Sequence, residues 1–306
     1  MLEQGNIQTE LSSAIARQSE TRWSSLFASQ STWVFMAALC AAVVLGLVTD
    51  TFATPQNIFN VTRNFAFVGI VALGMTVVII SGGIDLSVGS VLCLGAMVQA
   101  ICMNAGYGFF PSAVAALSAS ALVGFVNGAL IAWLKMPSFV VTLGTLSIAR
   151  SIAMVLSDNR MIFEFGPDQQ LLFDLGGGST FGIRHPVMAL VILALLTGFL
   201  LRWTPWGTHV FAIGANERAA VLTGVRVPTL KISVHVFAST IAGLAGILEA
   251  GWLGGVTTNL GQSMELTVIA ATVIGGANLL GGAGTIFGAI VGAALISSAA
   301  EGLSRS

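Results

Sequence analysis

The sequence carries little charge. Only 8% of its 306 residues are Asp, Glu, Lys or Arg, against about 25% in an ordinary soluble domain. With 55% hydrophobic residues and a mean hydropathy of +0.91, that scarcity excludes a water-soluble fold. The few charges nearly cancel, to a net −1, and the basic residues are scattered, so no nucleic-acid surface is expected. Cysteine is scarce too. Cys40, Cys93 and Cys102 sit within or at the ends of apolar runs without CxxC or histidine spacing, and read as small core hydrophobes. His185, His209 and His235 fall in different segments and form no HExxH pattern, and no GxxxxGK[ST] phosphate loop occurs. The chain is therefore expected to be no enzyme in itself and to bind no metal or cofactor. Its first thirty residues are polar and mixed in charge (Glu3, Glu10, Arg17, Glu20, Arg22), so no cleaved signal peptide is expected.

What the sequence has in abundance is long apolar runs. Unpaired backbone groups are too costly in hydrocarbon for anything but helices or closed barrels, and runs without dyad alternation select helices. The expected fold is an all-α, polytopic transmembrane bundle. A cytoplasmic segment, 1–30, would precede a membrane domain, 31–303. Taking roughly 20 apolar residues per span, spans fall near 33–49, 62–81, 87–104, 112–134, 139–156, 186–202, 230–250, 264–280 and 284–300, the Gly-rich ones open to being broken or re-entrant. Placing the N-terminus in the cytoplasm puts Arg17, Arg22, Lys135, Arg202, Arg218, Arg226 and Lys231 inside, and Arg63, Arg160 and Arg184 outside. Segment 157–185 is then an outer, periplasmic loop and 203–230 a cytoplasmic one. Trp33, Trp133, Trp203, Trp206 and Trp252 mark span ends, where an amphipathic ring suits the headgroup region. Gly124/Gly128 and Gly284/Gly288/Gly292 recur at the four-residue spacing that lets helix backbones approach closely, and packing within one subunit is their simpler use.

Polar groups inside such runs carry the most information, because an ionisable side chain there costs several kcal/mol unless paired or hydrated. Asp85 follows Gly82-Gly83 and precedes Ser87; it reads either as a cap for the helix starting there or as a pathway residue. Arg150, deep in a span, needs a carboxylate or free carbonyls, and a structural role is the simpler one. Glu249, near an outer end, is expected to reach water. Ile80-Ser-Gly-Gly-Ile-Asp-Leu-Ser-Val-Gly-Ser90 and Ile274-Gly-Gly-Ala-Asn-Leu-Leu-Gly-Gly-Ala-Gly284 echo one another, and interrupted apolar segments in two halves of a transporter point to a binding or gating site; chance similarity explains the echo equally well. In 203–230, Asn216 can cap a short helix from Glu217 to Thr223, with Gly224 ending it in the left-handed conformation. Its Ala-rich surface would fit a groove on another protein, while a merely solvated helix is the plainer reading.

Several stretches resemble the membrane permease subunits of ribose-type monosaccharide ATP-binding-cassette importers. They are Ser81-Gly-Gly-Ile-Asp-Leu-Ser-Val-Gly-Ser90, Gly124-Phe-Val-Asn-Gly128 with Pro137-Ser-Phe-Val-Val-Thr-Leu-Gly-Thr145, Ala212-Ile-Gly-Ala-Asn-Glu217 through Gly224, and Met264-Glu-Leu with Val273-Ile-Gly-Gly-Ala-Asn-Leu-Leu-Gly-Gly282, in family order. The resemblance implies a partner ATPase that holds ATP and Mg, a periplasmic sugar-binding protein, a second permease subunit taken as an identical copy, and residence in a bacterial inner membrane. It implies an ATPase-coupling element at Asn216, Glu217, Arg218, Ala219, Ala220 and Gly224. Asp85, Ser87, Asn127, Thr142, Thr145 and Asn278 would line or gate the pathway. Family members usually continue past the equivalent of Leu303 into another span and a basic tail, whereas this sequence stops at Ser306. Nine spans would leave the C-terminus outside and the family's ten would place it inside. The alternative to an importer subunit is an ion-coupled secondary transporter or channel for small polar solutes, with Asp85 or Arg150 coupling to the ion; an inactive or assembly-only subunit is a minor third reading.

Overall fold

The computed structural model describes residues 30–48 and 54–303. Among them the chain forms α1 (Gln30–Val48), α2 (Pro55–Ile80), α3 (Val88–Asn104), α4 (Phe109–Trp133), α5 (Ser138–Leu156), α6 (Gln169–Gly177), a small hairpin of β1 (Ser179–Thr180) and β2 (Ile183–Arg184), α7 (His185–Trp203), α8 (Pro205–Leu222), α9 (Val227–Leu253), α10 (Met264–Ile274) and α11 (Ile286–Leu303). The expectation for 1–30 lies outside the described residues, apart from Gln30. By length and hydropathy α4, α5, α7 and α9 are each long enough to cross a membrane, and 64–80, α3, α10 and 286–299 are shorter apolar helices. Proline supports this division. Pro55, Pro111, Pro186, Pro205 and Pro228 all stand in the first turn of a helix and Pro137 just before one, where the missing N–H breaks no helical hydrogen bond.

The central element is α9, which packs on α4, α3, α2 and α6. Without a hydrophobic effect between helices in lipid, close backbone approach must supply the contact energy, and glycine permits it. A Cβ on Gly128 would lie 2.5 Å from the Ile232 Cα, and one on Gly124 2.5 Å from the His235 carbonyl. On α3, a Cβ on Gly95 would meet the Gly243 Cα at 2.9 Å. The Gly284/Gly288/Gly292 stripe is likewise used inside the chain, with Gly288 against the Gly275 carbonyl and Gly292 against that of Ala271. The large outward apolar residues, such as Leu195 of α7 and Val155 of α5, need no such partner in hydrocarbon.

One expectation is corrected. The span placed at 264–280 ends at Ile274. Eleven residues at 1.5 Å each give about 16 Å, half of a ~30 Å hydrocarbon core. The chain then turns back through 275–285 into α11, because Gly276, Gly281 and Gly282 adopt positive φ, of 101°, 93° and 75°. The connection 157–185 carries α6 and the small hairpin and is fastened to the bundle. Ile162 and Val256 exchange backbone hydrogen bonds of 3.0 and 2.8 Å, and α6 lies on the end of α9 with Gly176 against the Leu248 carbonyl.

These contacts make a prediction. Gly128→Val must separate α4 from α9 and is expected to lose about 1–3 kcal/mol, read as a lower melting temperature in detergent. Gly198→Ala, with open space beside it, should gain up to ~1 kcal/mol. Equal melting of Gly128→Val and wild type would contradict the packing.

Candidate functional site

At Ile80 the helix run breaks: the amides of Ser81, Gly82 and Gly83 still donate to the carbonyls of Val77, Ile79 and Val78, and Ile84-Asp-Leu-Ser87 then crosses to α3 outside the helical pattern. Gly82 takes φ +83°, which disfavours any residue with a Cβ. Side chains replace the lost helical partners. Ile84 N donates to Ser138 Oγ (3.0 Å) and Leu86 N to Thr142 Oγ1 (3.0 Å), which fastens the break to the first turns of α5. Ser87 N and Ser87 Oγ both donate to Asp85 Oδ1, at 2.8 and 2.6 Å. Asp85 thus caps the entry to α3. From Ser87 a chain of hydrogen bonds runs outward: Asn127 Nδ2 donates to Ser87 Oγ (3.0 Å), and Thr145 Oγ1 donates to Asn127 Oδ1 (2.6 Å). Asp85, Ser87, Asn127 and Thr142 are fully buried and Thr145 nearly so. Asp85 Oδ2 faces this interior with no hydrogen-bond partner.

Four of the six pathway candidates, Asp85, Ser87, Asn127 and Thr145, are therefore one hydrogen-bonded group; Thr142 joins it only through the backbone of Ile84 and Leu86, and Asn278 is not part of it. It is exposed and shapes its own turn, its Oδ1 accepting from Leu280 N at 3.0 Å. The turn docks elsewhere on the same break: Gly282 N donates to the Ile80 carbonyl at 2.9 Å. Gly214 of α8 fills the third side, with no room for a Cβ against the Ile80 carbonyl or Gly282 N. The two segments that echo each other in sequence thus meet in space, with α8 between them.

The region 203–230 was expected to be a loop with one short helix; helix already begins at Pro205. Asn216 then leaves the helical conformation (φ −161°, ψ 100°), and its Oδ1 accepts from Ala219 N at 3.0 Å, the N-cap bond that restarts the helix at Glu217. Gly224, at φ +87°, follows its end. Asn216, Glu217, Arg218, Ala219 and Gly224 are exposed, whereas Ala220 is 3% exposed and packs inward with Val210, Val227 and Leu230. The sequence reading passed over Val221 and Leu222, which are 55% and 88% exposed; an apolar residue next to a capped, charged turn was the available signal. Glu217 pairs with Lys231 of α9 at 2.7 Å, an exposed bridge worth less than ~1 kcal/mol. A cleft of about 390 Å³ opens between the break and α8, lined by Ser81, Ser138, Asn216, Glu217, Lys231 and His235. Ser138 and Ser81 also escaped the sequence reading, because a serine at a helix start or end is ordinarily a local cap.

Arg150 finds carbonyls rather than a carboxylate. Its Nη1 donates to Thr258 O (2.8 Å) and Leu260 O (2.6 Å) in the non-helical segment between α9 and α10. Glu249 does not simply reach water, for its Oε2 is buried without a hydrogen-bond partner. Hydroxyls, amides and one carboxylate dominate the buried group around the break, and such groups can exchange hydrogen bonds with a neutral polar solute. Thr142→Val keeps the shape and removes the acceptor of Leu86 N, an expected loss of about 1–3 kcal/mol. Hydrogen exchange should quicken roughly tenfold or more at 84–87 while the centre of α3 stays protected; uniform exchange along both would refute the fastening.

The family described as "Branched-chain amino acid transport system / permease component" matches residues 57–305. The ribose import permease protein RbsC of Haemophilus influenzae is 34% identical over 263 residues, 86% of this chain and 81% of that protein. The L-arabinose ABC transporter permease protein AraH of Azospirillum brasilense is 34% identical over 273 residues, 89% and 79% of the two chains. The autoinducer 2 import system permease protein LsrC of Photorhabdus laumondii is 35% identical over 268 residues, 88% and 80%. No solved structure gives a significant match. The helical bundle with its broken, side-chain-fastened spans and the match along nearly all of it place the chain in one group: it belongs to the branched-chain amino acid transport system / permease component family.

Proposed function

We propose that the chain is the membrane-spanning subunit of an ATP-driven, binding-protein-dependent importer of a monosaccharide or related polyol. The observation that carries this reading is the exposed, capped helix 217–222 standing on the helix break through the contact of Gly214 with Ile80 and Gly282. Likeness to permeases named for ribose, arabinose and autoinducer 2 supports the substrate class. A partner ATPase, holding the ATP and Mg, would dock on Asn216, Glu217, Arg218, Ala219 and Gly224, with Val221 and Leu222 supplying apolar contact. A periplasmic binding protein would deliver the sugar, and a second copy of the chain would complete the pathway. Lys135, Arg202, Arg218, Arg226 and Lys231 gather at the end of the bundle that carries α8, which supports a cytoplasmic placement of that end. The N-terminus is placed on the same side, in a bacterial inner membrane.

In this mechanism ATP binding moves the coupling helices of the two copies. Gly214 leaves no gap at the Ile80 carbonyl, so displacement of α8 reaches the break directly. The break is held to α4 and α5 by the hydrogen bonds of Asn127, Ser138 and Thr142. Those bonds are of the kind that a sugar hydroxyl can replace, so the same groups line the pathway when it opens.

The test is co-purification with the candidate ATPase in detergent. Wild type is expected to retain it, and Glu217→Arg and Leu222→Glu to lose it at unchanged melting temperature. Ala220→Trp should instead lower the melting temperature, since overpacking a filled site costs about 1–3 kcal/mol. Wild type that recruits no ATPase would sink the reading. The rival, an ion-coupled secondary transporter, draws on the unpartnered Asp85 Oδ2; it predicts uptake by the purified chain alone in vesicles, driven by a pH gradient without ATP.

A further inference from the structure

A second cavity, of about 380 Å³, opens on the other side of the buried hydrogen-bonded group from the α8 cleft. It lies between α3, α5 and the segment that leads into α10, and Ser90, Arg150, Asn259, Gln262, Ser263 and Glu265 line it. Ser90 follows Ser87 by three residues, on the same face of α3. Leu146, which also lines the cavity, follows Thr145 directly. The chain from Asp85 to Thr145 therefore separates two polar cavities.

Ser90 is the observation that points to a ligand. Many buried hydroxyls of this bundle return to the carbonyl four residues back, as Thr76, Ser120 and Thr272 do; Ser90 and Ser239 do not, and of these two only Ser90 lines this cavity. The Ser90 hydroxyl is fully buried and has no partner at all, although buried polar groups are nearly always satisfied. Arg150 engages two carbonyls through one nitrogen and also interacts with the Cys93 side chain; a guanidinium has five N–H donors, and Arg150 lines the cavity. Glu265 reaches α3 only because residue 89 is glycine: a Cβ there would lie 2.6 Å from Glu265 Oε2.

We propose that this cavity is the substrate site of the pathway, and that it takes a neutral, polyhydroxylated molecule of sugar size. One cation, Arg150, and one carboxylate, Glu265, line the cavity, so their formal charges cancel and neither an anion nor a cation is favoured. The amides and hydroxyls supply both donors and acceptors, as a sugar hydroxyl requires. The volume falls within the ~300–1,000 Å³ of small-molecule sites. The proposal rests on the importer reading and names where its substrate sits. Asp85, Ser87, Asn127 and Thr145 then form the closed gate beneath the sugar rather than its binding site.

Ser90→Ala and Glu265→Gln test it by two readouts. Millimolar ribose or arabinose is expected to raise the melting temperature of the purified wild type and of neither variant. In proteoliposomes containing the ATPase and binding protein, each variant should raise the KM for uptake about tenfold, the effect of one lost hydrogen bond, with ATPase co-purification unchanged as the check on folding. Sugar uptake with wild-type KM in both variants overturns the cavity and leaves the importer reading standing. Wild type that recruits no ATPase but is protected by sugar, while both variants are not, overturns the importer reading and keeps the cavity. Neither protection nor uptake in the wild type overturns both.

Discussion

A backbone amide or carbonyl inside hydrocarbon must find its partner within the protein, and leaving one unpaired costs several kcal/mol. Everything distinctive here follows from how the chain meets that requirement where its helices stop. At 81–87 the partners are Asp85, Ser138 and Thr142. At 275–285 one partner is the Ile80 carbonyl, which accepts from Gly282. Between α9 and α10 the free carbonyls of Thr258 and Leu260 take the guanidinium of Arg150. Each break is therefore tied to a distant part of the chain, and each tie is a hydrogen bond rather than a packed apolar surface. Such ties are directional and can be exchanged for others, which apolar contacts cannot.

Glycine makes the rest possible in two ways. Along α3, α4 and α9 it brings helix axes together, because a bare backbone is the smallest surface that a helix can present. Around Ile80, Gly214 and Gly282 it lets three backbone segments meet without side chains between them. The two uses have opposite mechanical effects. Close-packed helices are expected to move as a unit, and in the proposed mechanism the junction of bare backbones is where one unit would push on the next. The 217–222 helix, capped by Asn216 and exposed on its outer face, stands at that junction.

Two cavities lie on either side of one buried group of hydrogen bonds, and in the proposed importer they would be the two sides of a pathway closed at its middle. In that proposal the groups that would hold the barrier shut are separate from those that would hold the solute, although Ser87 and Ser90 are a single helical turn apart. Asp85 is better understood as the cap that makes the break possible than as a charge exposed to the solute.

Much of this was legible in the sequence. Apolar runs of membrane length dictate helices because no other local structure satisfies the backbone in lipid, and eight of the nine expected spans appear as single helices in place. The cap of Asn216, the left-handed Gly224 and the role of Asp85 before Ser87 were readable because each depends on residues two to eight positions apart. Tertiary structure decided the rest. Hydropathy is the same whether a Gly-rich apolar stretch continues or turns back, so the end of α10 at Ile274 was invisible until Gly275 met Gly288. Burial of Ala220, unlike the exposure of Leu222, depends on what faces each side of a helix with little amphipathic signal. The ties from Gly282 to Ile80, from Arg150 to Thr258 and from Thr145 to Asn127 join residues whose separation along the chain carries no information about their meeting. Local chemistry sets which backbone groups are left over at a break, and only the packed fold selects the side chain or carbonyl that satisfies them.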